Sequence, residues 1–72
     1  MINPMWQQIE ANWQQLSGQV KENWGKLTND DIVAAQGERE QLIGRIQERY
    51  AMAREEARRE VDEWANNLKE KI

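Results

Sequence analysis

Seventy-two residues without a cysteine or a histidine leave no disulfide, no thiolate or imidazole metal site, and none of the usual general bases or thiol nucleophiles. Thirteen acidic against ten basic side chains give a net charge of −3, which argues against a general electrostatic grip on phosphate backbones. A chain of this length forms one domain at most, residues 1–72, and it must be stabilised by a few large side chains; four tryptophans and no phenylalanine meet that need.

The apolar residues recur at a helical period. A first segment begins with Asn3 as N-cap and Pro4 at the first helical position, where a missing N–H costs nothing. Its stripe runs through Met5 and Trp6, Ile9, Trp13, Leu16, Val20, Trp24 and Leu27 at steps of three or four. Gly18, beside Ser17, is the weak point and is expected to bend the segment or divide it in two. Gly25 lets the chain leave helical geometry, and Thr28 with Asp31 forms a Thr-x-x-Asp capping pattern for the next helix. Trp24 then covers the corner between two helices.

The next helix is short, with Ile32, Val33 and Ala35 as its apolar content and Gly37 as C-terminal cap. Another begins near Glu38 and carries Leu42, Ile43, Ile46 and Tyr50 at core spacing. Gly44 inside it costs about 0.8–1 kcal/mol relative to alanine, which points to close contact with a neighbouring backbone. The last segment repeats the pattern through Ala53, Ala57, Val61, Trp64, Leu68 and Ile72. Its outer face pairs Glu55 with Arg59 at a favourable spacing and reads as solvated.

The stretches "NWGKLTNDD", "GEREQLIGRIQERY" and "EEARREVDEW" stand in the order, and nearly at the spacing, of the CsbD-like family of small bacterial stress-response proteins, which the chain resembles over roughly residues 10–65. The resemblance implies an all-α fold, a compact bundle of about four short helices arranged as two hairpins packed crosswise. It also implies expression linked to general stress, with no established biochemical activity. Trp13, Trp24, Gly25, Thr28, Asp31, Gly37, Leu42, Gly44, Ile46, Tyr50, Val61 and Trp64 form the structural signature.

Members of that family commonly have a glycine after the tyrosine and a serine or threonine before the "EEA" block, where this chain has Ala51 and Ala53. Residues 50–54 therefore favour continuing the helix. The rival architecture is a long helical hairpin that oligomerises, with Leu42, Ile46, Tyr50, Ala53, Ala57, Val61, Trp64 and Leu68 on one stripe. Three alanines, a tyrosine and a tryptophan make a poor seam for it, so the bundle is preferred.

Chemistry offers few candidates. Ser17, Thr28 and Tyr50 are the only hydroxyls, with no base suggested beside any of them. Asp30, Asp31 and Glu38 lack the spacing of a calcium loop and read as helix-dipole and solvation residues, so neither metal nor other cofactor is expected. Arg45 and Arg49, with Arg39, Arg54, Arg58 and Arg59, form a candidate phosphate-facing stripe beside Tyr50, but interleaved glutamates cancel most of its field. Residues 1–13, with Trp6 outermost among their tryptophans, are the segment a lipid interface would use; their polar face carries no lysine or arginine.

No stretch approaches the roughly 18–20 apolar residues of a membrane span, and the N-terminus lacks a signal peptide's basic start. The expectation is a mature, cytoplasmic, non-enzymatic protein, a monomer or weak homo-oligomer, that acts on an unspecified macromolecular partner. Nucleic acid and membrane are the disfavoured alternatives.

Overall fold

A computed structural model of the chain describes residues 4–71, and in it every regular element is helical. Helix α1 spans Pro4–Ala11, α2 Trp13–Asn23, α3 Asn29–Ala35, α4 Arg39–Tyr50 and α5 Arg54–Lys71. The Cα radius of gyration, 11.2 Å, equals the roughly 11 Å expected of a fully compacted chain of this length. The expected Asn3 cap lies outside the described residues.

Each helix exists because its apolar stripe has somewhere to go. Trp6 and Ile9 from α1, Leu16 and Val20 from α2, Ile32 and Ala35 from α3, Leu42, Ile43 and Ile46 from α4, and Ala57, Val61, Trp64, Ala65 and Leu68 from α5 join one buried cluster. Trp24 and Leu27, at the α2–α3 corner, complete it. Val33, expected to be apolar content of α3, is instead 67% exposed, because a helix of two turns can turn only one face inward.

The first segment does divide, but at Asn12, not at Gly18. Asn12 sits at φ −107°, ψ 18°, and its amide Nδ2 donates to the Gln8 carbonyl at 2.8 Å. A side chain that competes for backbone groups interrupts a helix more readily than a glycine that merely lacks preference. Gly18 stays inside α2, where Ser17 Oγ returns a hydrogen bond to the Gln14 carbonyl.

The α2–α3 corner follows the expected chemistry. Thr28 Oγ1 accepts from the Asp31 N–H at 3.1 Å, and an Asp31 carboxylate oxygen accepts from the Thr28 N–H at 3.0 Å, a complete capping box. Gly25 has neither a positive φ nor a crowded Cβ position, so the helix ends at Trp24 without needing glycine.

The close approach expected at Gly44 occurs at Gly37 instead. A Cβ on Gly44 would meet nothing within 4 Å, whereas one on Gly37 would lie 2.7 Å from the Glu10 Cα. Gly37 also has φ +78° and follows Gln36 at φ 51°, so two left-handed residues turn α3 into α4 while α1 lies against the bend.

Between α4 and α5 the chain breaks as the bundle requires. Ala51 adopts the left-handed conformation, φ 50°, ψ 44°, and α5 restarts at Arg54. The long helical hairpin is therefore not the fold of this chain: burying Ala57, Val61 and Trp64 against α4 outweighs the local preference of residues 50–54 for helix.

The two glycines should respond in opposite directions. Gly37→Ala is expected to lower unfolding free energy by about 2 kcal/mol, from a disallowed φ and a clash with backbone. Gly44→Ala should raise it by about 0.8 kcal/mol, since it fills open space inside a helix. Urea unfolding followed by tryptophan fluorescence measures both.

Candidate functional site at the corner between α3 and α4

Arg45 and Arg49 are one helical turn apart on α4, so their side chains leave the same face. That face meets the first turn of α3. Arg49 Nε and Nη2 donate to Asp31 Oδ2 and Oδ1 at 2.7 and 3.1 Å, and Arg45 Nη1 donates to Oδ1 at 3.2 Å. With the Thr28 N–H, two donors serve each carboxylate oxygen. A carboxylate has about four lone-pair sites, so none is left for a cation.

This arrangement corrects one expectation. Asp31, read as a solvated dipole residue, is 1% exposed, lying beneath arginine side chains that are themselves 34% and 42% exposed. Arg45 and Arg49, read as a candidate interaction surface, turn Nη1 of the first and Nε and Nη2 of the second to Asp31. Arg49's hydrogen bonds hold the Asp31 carboxyl well below the usual carboxylate range; burial pushes it up, and hydrogen bonding from Thr28 adds to the lowering. The structural gain is a capped helix whose capping acid is anchored to α4.

Arg39, Arg54 and Arg58 follow the same pattern along α4 and α5. Arg39 forms a two-pronged pair with Asp62, at 2.9 and 3.1 Å, and Arg54 reaches Glu40 at 2.6 Å. Arg58, not Arg59, takes Glu55, at 3.3 Å, and also lies 3.7 Å from Asp62. These are partly exposed pairs, worth little individually. Tyr50 is engaged too: its hydroxyl accepts from the Lys26 N–H at 3.1 Å, and the Lys26 ammonium stands 5.1 Å from its ring centre.

The tryptophans are placed by the same logic. Trp64 packs against Trp6 at 6.3 Å and, edge on, against Trp24 at 5.6 Å between ring centres. Trp24 Nε1 donates to Glu60 at 3.0 Å, and Trp13 Nε1 donates to the Ile32 carbonyl at 2.8 Å. Trp6, offered above as a lipid anchor, is buried. Beside this cluster a shallow groove of about 540 Å³ runs between α2 and α5, lined by Gln19, Glu22, Asn23, Trp64, Asn67 and Leu68. It holds amides and an acid, with no nucleophile set against a base.

Sequence reasoning missed the partner of Asp31. The available signal was the i, i+4 spacing of Arg45 and Arg49, which aims two guanidiniums at one place; nothing local said which acid they meet. Among the described residues no group of three or more acidic side chains is arranged to hold a metal ion. No described helix is long and apolar enough to cross a membrane.

A small all-helical bundle, held by buried indoles and capped by an anchored acid, is the class of protein these features define. The profile of the CsbD-like family matches residues 7–59. A UPF0337 protein of Pectobacterium atrosepticum is 50% identical over 62 residues, 86% of this chain and 90% of its own length. The UPF0337 protein YjbJ of Escherichia coli K12 is 53% identical over 54 residues, 75% of this chain and 78% of its own. A UPF0337 protein of Rhodopseudomonas palustris is 50% identical over 64 residues, 89% of this chain and 97% of its own. No solved structure matches the chain significantly. The chain belongs to the CsbD-like family, a family of bacterial general stress-response proteins.

The anchored cap makes stability depend on acid. Because the folded-state pKa of Asp31 is depressed, its contribution is fully present above the unfolded value of about 3.9 and is lost as pH falls below it. Urea midpoints at pH 7 and pH 3 should therefore fall more for the parent chain than for Asp31→Asn, which starts lower and changes less. Thr28→Ala, which removes only half of the box, should cost about 1 kcal/mol at pH 7.

Proposed function

We propose that this chain is a non-enzymatic, cytoplasmic stress-tolerance protein that acts through contacts with other macromolecules. One observation carries the reading: the three hydroxyls and five of the arginines are engaged by the fold itself. Thr28 is in a cap, Ser17 bonds its own helix, Tyr50 receives a backbone N–H, and Arg39, Arg45, Arg49, Arg54 and Arg58 are in intramolecular ion pairs. The exposed face of α1 and α2 is mainly amide, with Gln7, Gln8, Gln14, Gln15, Gln19 and Asn23 open to solvent. Such a face can make many weak hydrogen bonds to another surface.

The same facts weigh against the alternatives. A nucleic-acid stripe would need arginines that Asp31, Asp62 and Glu40 already occupy, and a lipid anchor would need Trp6 to leave Trp64.

Gln15, Gln19 and Glu22 share one outer face of α2, and the last two line the groove. In a bacterium whose own copy is deleted, the triple variant Gln15→Arg, Gln19→Arg, Glu22→Arg is expected to melt normally yet restore stress survival little better than no gene. Ser17→Ala should restore it fully. Full rescue by the triple variant, or none by Ser17→Ala, contradicts the reading.

A further inference from the structure

We infer that the corner between α4 and α5 is a domain-swapping hinge, through which α5 of one copy docks on the α1–α4 body of a second copy. The inference stands independently of the functional reading above.

The hinge is built against its own sequence. Ala51 and Gln36 are the two non-glycine residues with positive φ among those described, and Ala51 has no polar side chain to hold that conformation. Tyr50, Ala51, Met52, Ala53 and Arg54 include no glycine, proline or capping oxygen. Ala53, immediately before α5, offers no side-chain acceptor to the first N–H groups of that helix, although the Ala57 N–H already bonds its carbonyl at 3.0 Å. Straightening the corner would return Ala51 to right-handed helix and let the last carbonyls of α4 receive the first N–H groups of α5. The result is one helix from Arg39 to Lys71, about 50 Å long. Short hinges under backbone strain invite this exchange.

The occupant follows from what straightening exposes. On α5 it uncovers Ala57, Val61, Trp64 and Leu68, and on the body it uncovers Leu42, Ile46 and the ring of Trp24. Neither surface is stable in water, and each is complementary to the other. A second copy supplies the same fit: the Arg39–Asp62 and Arg54–Glu40 pairs, the Trp24–Glu60 hydrogen bond and the Trp24–Trp64 contact all re-form between chains. When the protein is dilute, mass action favours the single chain.

The test compares the full chain refolded from denaturant at micromolar and millimolar concentration. Light scattering reads mass, and isotope-filtered NOE spectra are recorded on a sample refolded from equal parts labelled and unlabelled chain. The expected result is a dimer formed only by concentrated refolding, with NOEs between Leu42 or Ile46 of one chain and Ala57 or Val61 of the other. Ala51→Gly, which favours the left-handed corner and disfavours the straight helix at both hinges, should weaken dimerisation by at least about 100-fold while the monomer melts higher. Ala53→Ser, which caps only the closed form, should act in the same direction. A chain that stays monomeric under concentrated refolding overturns the proposal. So does a dimer without those between-chain NOEs, or one whose stability Ala51→Gly leaves unchanged.

Discussion

The contact among Trp6, Trp24 and Trp64 is the constraint on which the remaining structure depends. Trp6 comes from α1, Trp24 from the end of α2 and Trp64 from the middle of α5, so one aromatic cluster joins the two ends of the sequence to its first corner. A chain of this size has little else with which to build a core, and aromatic side chains bury the most area per residue ordered. The polar edge of Trp24 is satisfied by Glu60, which permits the ring to be almost wholly covered without leaving a stranded donor. Trp13 solves the same problem at the other side of α2 through the Ile32 carbonyl.

Around that core the charges are arranged to lock corners. Asp31 caps α3 and receives both arginines of one α4 face, so that helix start and helix packing are fixed by one carboxylate. Arg39 with Asp62 and Arg54 with Glu40 join α4 to α5 in the same way, on the exposed side.

Much of the fold was legible in the sequence because its signals are local. The three-four stripes named nearly all the residues that became core, and Thr28 with Asp31 announced the start of α3. The residues that misled are those whose role depends on something distant. Gly37 must be glycine because the Glu10 backbone lies against it, 27 positions earlier in the chain. Asp31 is buried because two arginines 14 and 18 residues later cover it. Ala51 is left-handed because α5 must return along α4, against the preference of every residue near it. The break at Asn12 was a missed local signal, since asparagine competes for backbone hydrogen bonds where Gly18 only lacks stiffness.

The central claim, that the indoles are withdrawn into one core within a single chain, is tested most directly by fluorotryptophan NMR with a soluble gadolinium chelate. Four resonances, assigned by single substitutions, report each ring's distance from solvent at monomeric concentration. Trp6, Trp24 and Trp64 should be barely broadened and Trp13, half-buried, should be intermediate. Broadening of Trp24 and Trp64 equal to or greater than that of Trp13 would contradict the account.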